Sequence, residues 1–195
     1  MKAIIHAVVI SAASLLWVSC ANQNQSQIVS SRPIKDEIMG LKLGEKSSER
    51  DIKEKITKAT DKSFVTYEEK QGSGKGIRAM ATGFDFNFGG HSWSYADFNL
   101  NEESLLCAIS FVHSYENIER AKEQYEELVE TLTQKYGRYN RNDESSVYWT
   151  DGTTSVGTRF EESSAINGND RSFCYLYYVD NTLIEQVKDD ATDDL

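Results

Sequence analysis

From Ile118 to Tyr136 the apolar residues Ile118, Ala121, Tyr125, Leu128, Leu132 and Tyr136 recur at steps of three or four, and Gly137 follows at once. A stripe at that spacing lies along one side of an α-helix, and a glycine just beyond it supplies the stop. Ser114 or Asn117 can cap its start, and the opposite side is rich in glutamate. Before this segment the period is two. Phe84, Phe86 and Phe88 alternate with Asp85 and Asn87. Ala96, Phe98 and Leu100 share one face against Trp93, Tyr95, Asp97 and Asn99, and Leu105, Cys107, Ile109 and Phe111 follow a polar turn. Such alternation predicts strands with one apolar side. The helix stripe and the apolar strand faces then have each other to pack against.

The remaining elements extend this pattern. Ser47 or Ser48 caps an earlier helix whose narrow stripe is Ile52, Ile56 and Ala59. Phe64 to Tyr67 starts a strand. After the second helix come strands at Val147 to Trp149, Ser155 to Phe160, Ser172 to Tyr178 and Thr182 to Val187, separated by polar turns. The order helix, strands, helix, strands predicts an α+β fold: an antiparallel sheet with two helices on one face. A weak internal echo, Trp93 with Phe98 and Trp149 with Phe160 before apolar strands, is compatible with a duplicated helix-plus-strands unit and equally with ordinary antiparallel spacing.

The chain has 195 residues, with 21 Lys+Arg against 31 Asp+Glu and a formal net charge of −10. So much acid repels phosphate backbones and anionic head groups, which sets aside nucleic-acid binding and electrostatic membrane docking. Met1-Lys2, the apolar run Ala3 to Val18 and the sequence Trp17-Val18-Ser19-Cys20 read as an export signal over residues 1–19. A cysteine after a small residue at the end of that run resembles the lipobox of bacterial lipoproteins, although Trp17 stands where leucine is usual. This resemblance implies that Cys20 carries acyl chains, several of which anchor a protein firmly. Residues 20–37 then form a polar tether, 38–187 a single α+β domain and 188–195 an acidic tail. About 150 residues suffice for one core and exclude a large multidomain enzyme.

No catalytic constellation emerges from the residues. Gly72-Ser73-Gly74-Lys75-Gly76 lacks the spacing of a phosphate-binding loop and reads as a hairpin tip. His91 and His113 have no cysteine or carboxylate at ligand spacing, and the acids Asp189, Asp190, Asp193 and Asp194 lack the pattern of a calcium loop, so neither metal nor cofactor is expected. Cys107 and Cys174 are read as small buried hydrophobes, with a disulfide left open by the exported setting.

Gly40-Leu41-Lys42-Leu43-Gly44 before a capped helix, and Lys135-Tyr136-Gly137 before the Trp149 strand, resemble the arrangement in beta-lactamase inhibitory proteins and small outer-membrane assembly lipoproteins. The resemblance implies an α+β binding module without a cofactor, in the bacterial cell envelope and lipid-anchored to the outer membrane of a Gram-negative organism. The expected partner is an envelope protein, peptide or glycan. The alternative is a hydrolase of envelope polymers using carboxylates that spacing does not pair. Alternation turns Trp93 and Tyr95 away from the helices and, with Cys174 and Leu176 inward, sets Phe173, Tyr175 and Tyr177 beside them, joined by Tyr148 and Arg159. Tyr, Trp and Arg dominate interface hot spots, so this aromatic face is the expected partner site; the other outcome is a second small core.

Overall fold

A computed structural model of the chain describes residues 27–71, 74–83, 85–163 and 171–184. The expected leader, Cys20 and the acidic tail lie outside the described residues. Two short strands, β1 (Glu37–Ile38) and β2 (Leu41–Lys42), precede α1 (Glu49–Thr60). Then follow β3 (Phe64–Gln71), β4 (Gly74–Ala81), β5 (Phe86–Phe88), β6 (His91–Trp93), β7 (Tyr95–Leu100) and β8 (Leu106–Tyr115). After α2 (Ile118–Tyr136) come β9 (Asn140–Asp143), β10 (Ser146–Thr150), β11 (Thr154–Ser163) and β12 (Arg171–Asp180).

Local chemistry sets the helix ends. The Ser48 hydroxyl accepts from the Asp51 amide while the Asp51 carboxylate accepts from the Ser48 amide, a reciprocal capping box for α1. Asn117, rather than Ser114, caps α2, accepting from the Arg120 amide, and Gly137 ends it at a positive φ of 86° that a side chain would resist. The expected stripe is the buried one: Ala121, Tyr125, Leu128, Leu132 and Tyr136 face inward, together with Gln124.

Eight strands form one antiparallel sheet in the order β3-β4-β7-β8-β12-β11-β10-β9, so the fold is α+β and mostly sheet. Each helix is followed by strands that meander inward from one edge of the sheet to a shared centre, where β8 and β12 pair from Tyr115↔Ser172 to Ala108↔Val179. The small β5–β6 hairpin stands outside this sheet. Ile52 and Ile56 of α1, the α2 stripe and one alternating set of strand residues, among them Ile77, Phe98, Ile109, Phe111, Leu176 and Val156, make one buried cluster. Within it Tyr125 meets Phe160 edge-on at 5.0 Å and Phe64 meets Phe86 at 5.3 Å. The Trp149 indole donates to the Gly137 carbonyl at 2.8 Å, so a fully buried tryptophan also fixes the end of α2.

Three expectations need correction. Residues 28–34 of the expected tether lie on the body: Asn140 bonds both the amide and the carbonyl of Ile28, the Ser30 amide donates to the Thr150 carbonyl, and the Ile34 amide donates to Asp151. The expected strand from Thr182 begins instead as a helical turn over residues 181–184, because Asp180 accepts from the amides of Thr182 and Leu183 as an N-cap does. The third concerns Trp93 and is taken up with the site.

Candidate functional site: the tyrosine and arginine side of the sheet

Strand residues that alternate with the core set form two adjacent rows across the sheet. The first runs Val65, Met80, Tyr95, Val112, Tyr175, Arg159, Ser146. The second runs Tyr67, Arg78, Asp97, Ser110, Tyr177, Gly157, Tyr148. Five of the expected residues, Tyr95, Tyr148, Arg159, Tyr175 and Tyr177, therefore share this side, and Phe173 is next to Tyr175 with ring centroids 6.3 Å apart. Tyr95, Arg159, Phe173, Tyr175 and Tyr177 are half-buried and Tyr148 is buried.

Trp93 does not join them. Ser94 separates β6 from β7, and its amide donates to Val112 while Trp93 pairs with Phe86 in the small hairpin. That interruption resets the alternation. Trp93 is fully buried in the main core, 5.8 Å from Phe111, with its indole donating to the Phe88 carbonyl at 2.9 Å.

Two arginines organise the side. The Arg78 guanidinium grips Asp97 with both arms at 2.7 Å and lies 4.1 Å from the centre of the Tyr95 ring. Arg159 lies 4.2 Å from the centre of the Tyr175 ring and 3.3 Å from Glu161, which also accepts from the Tyr175 hydroxyl. Planar forks of this kind match a carboxylate and stack on an aromatic ring at once. Burial works against the charge on Arg78, but the hydrogen bonds and charge of Asp97 outweigh it and raise its pKa. Burial pushes the phenols of Tyr95 and Tyr177 up to about 12, opposed by Arg78 at the first and by the Ser146 hydroxyl at the second. Tyr175 is raised as well, by burial and then by its bond to Glu161. All three phenols are neutral donors at neutral pH.

Beneath these rings Val112 is almost fully buried, as are Ala108 and Val179 on the same side, so part of this surface is a small second core. Asn181 closes one end of it, bonding Ser155, Thr150 and the Gly152 carbonyl. Toward the β3 edge the side opens, and Val65, Tyr67 and Met80 are exposed. Sequence reasoning set Asp97 on this side but missed Arg78 and Glu161. The signal for Arg78 was a charge flanked by apolar Ile77 and Ala79, and for Glu161 its place two residues beyond Arg159 on the same strand.

Other candidates are scattered. His113 lies 3.6 Å from Asp85 and His91 3.8 Å from Glu127, in separate places. Among the described residues no group of three or more His, Cys, Asp or Glu is placed to hold a metal, and no helix is long and apolar enough to cross a membrane. Cys107 and Cys174, the cysteines among the described residues, are both free. Cys107 is the extra residue of a bulge, since Asn99 and Leu100 pair with Ala108 and Leu106. Cys174 pairs with His113, six positions farther along β8, about 20 Å away at the rise of a strand and beyond disulfide reach. Burial raises the Cys107 thiol to about 11 and that of Cys174 to about 12, which keeps both protonated and unreactive.

Comparison of the chain with protein-family models, with curated sequences and with solved structures found no match.

Proposed function

We propose that this protein is a lipid-anchored binding module of the bacterial envelope, attached through Cys20, that engages a partner through Tyr95, Tyr175, Tyr177, Phe173, Arg78 and Arg159. The reading includes both helices covering the opposite face, and the repeated helix-then-strands order as a duplicated unit. One observation carries it: two arginine–tyrosine stacks, Arg78 on Tyr95 and Arg159 on Tyr175, stand on one side of the sheet next to exposed apolar residues. Side chains already fixed by stacking lose little rotamer freedom on contact, which favours tight binding for a given area. Asp97 and Glu161, the carboxylates beside the stacks, are both engaged by arginine or tyrosine, and Glu69 stands alone toward the β3 edge. That supports binding over envelope-polymer hydrolysis, which needs two carboxyl groups flanking one bond.

The test is capture from detergent-solubilised native envelope with the lipidated protein. Tyr95→Ala combined with Tyr175→Ala abolishes capture of the specific partner, and Cys20→Ala releases the protein from the membrane fraction. Undiminished capture by the double variant overturns the binding site. Membrane retention of Cys20→Ala with a normally cleaved leader overturns the anchor.

A further inference from the structure

The two edges of the large sheet are finished differently. At one end β9 is only four residues long, its pairing with β10 is interrupted between Ser146 and Val147, and residues 28–30 are bonded to Asn140 and Thr150 beside it. These are devices that keep an edge from recruiting another strand. At the other end β3 runs for eight residues in unbroken register with β4, from Phe64↔Ala81 to Gln71↔Gly74. It contains no proline or bulge, and among the described residues β4 is its only strand neighbour. One row of its amides and carbonyls therefore faces outward.

This is also where the side chains are apolar and exposed. Val65 and Met80 are each 42 % exposed and Tyr67 53 % exposed, and Val65 pairs directly with Met80. On the same side, two residues beyond Tyr67, Glu69 has no ion-pair partner among the described residues, whereas Glu68 on the other side is paired with Lys75 at 3.3 Å. The inner side of the strand is secured: Phe64 is buried in the core, and the Thr66 hydroxyl donates to Glu49 of α1. A rigid open edge selects an extended chain, because only a strand satisfies a row of backbone groups at strand spacing.

We propose that β3 accepts an extended segment of another protein as a ninth strand, with apolar residues opposite Val65 and Tyr67 and a basic residue opposite Glu69. A second copy of this chain is the poorer occupant, because association adds two charges of −10. The edge adjoins the arginine–tyrosine stacks, since Tyr67 pairs with Arg78 and Val65 with Met80, but the two readings are tested apart: capture through the stacks is read by the Tyr95 and Tyr175 variants, which leave β3 unaltered, and strand addition by protection of the β3 backbone.

The probe is a capped ten-residue peptide of threonines carrying lysine, valine and valine at alternate positions, titrated against the full-length protein and followed by amide hydrogen exchange. Protection of the β3 amides supports the proposal, and its absence overturns it. Replacing the lysine by glutamate weakens binding about tenfold, and Glu69→Gln brings the two peptides to within about twofold; equal binding to the unaltered protein overturns the charge assignment. N-methylation of every second peptide residue abolishes binding in one frame and spares it in the other, whereas indifference to both frames overturns strand addition. Val65→Ser with Tyr67→Ser, both exposed, weakens binding at least fivefold with an unchanged thermal midpoint. A dimer by sedimentation that the same variant dissociates overturns the proposal in favour of a second copy.

Discussion

Gly157 lies directly beneath the Tyr177 ring, and the arrangement of the tyrosine side depends on its having no side chain. A β-carbon built at position 157 falls 2.3 Å from both Cζ and Oη of Tyr177 and 2.7 Å from Cε2. Carbon atoms in contact stay about 3.5–4.0 Å apart, so in Gly157→Ala the ring must lift by roughly an ångström or more. It has little freedom to do so, with Ser146 beside its hydroxyl and its backbone paired on both sides, to Gly157 and to Ser110. Overpacking of this kind costs about 1–3 kcal/mol. For a domain of this size each kcal/mol lowers the thermal midpoint by about 2–4 °C. In a Tyr177→Ala background the space is empty, and the same change becomes neutral or stabilising by up to about 1 kcal/mol through the stiffer unfolded chain. Tyr177→Phe keeps the ring and with it most of the cost. The assay is urea and thermal denaturation of all members of the cycle, with an expected coupling of about 1–3 kcal/mol. An equal cost of Gly157→Ala with and without the ring refutes the packing argument.

The α2 stripe gives a second expectation: Leu128→Ala, at a site 3 % exposed, costs about 2–5 kcal/mol by denaturation, while Glu130→Ala on the solvent side costs under about 0.5. His113 gives a pH dependence. Burial lowers its pKa despite the nearby Asp85, so it is neutral in the fold, and the unfolded chain takes up the proton first. Stability is full above about pH 6.5 and falls as the pH drops below it. His113→Phe flattens that slope between pH 7.5 and 5.5, and an unchanged slope counts against it. At the alkaline end Tyr95, Tyr115 and Tyr177 have phenols raised to about 12, so stability declines above about pH 10 as the unfolded chain ionises first. Absorbance at 295 nm checks this, because their ionisation moves down toward pH 10 when urea is added.

Both helices were legible in the sequence because their signals are local. Ile52 and Ile56 lie one turn apart, the caps stand next to the stripes, and Gly137 marks the stop of α2. The tyrosine side was legible where a strand runs uninterrupted: Tyr95 with Asp97 follows from period two, whereas β12 is apolar on both sides, so Phe173, Tyr175 and Tyr177 follow only once Cys174 and Leu176 are taken as inward. Trp93 was misplaced because a single residue, Ser94, ends one strand and lets another begin, and parity does not survive such a break. Docking of residues 28–34 had no local signal at all. It rests on Asn140 and Asp151, more than a hundred positions away, and on backbone bonds to Thr150. Likewise Arg78 meets Asp97 only because β4 pairs with β7 across the intervening hairpin, a register that no spacing in the chain displays.

The two surfaces differ in what they leave unsatisfied, and that difference sets the chemistry each can use. On the tyrosine side the arginines are matched by Asp97 and Glu161 within the chain, so this patch is near neutral in a molecule of formal charge −10. A partner there gains from ring contact and from phenol hydrogen bonds, and bringing an unpaired charge would oblige it to break a fork already made with both arms. At β3 the position is reversed. Among the described residues its outward backbone groups have no strand to bond, and Glu69 adds a charge with no ion-pair partner beside them. Recognition at the edge is therefore dominated by main-chain bonding with a charge filter, and recognition on the face by fixed aromatic shape. A single globular partner would have to present both a strand and an aromatic-complementary surface at a right angle to it. Two partners, or one partner with an extended terminal arm, meet the same demand without that constraint.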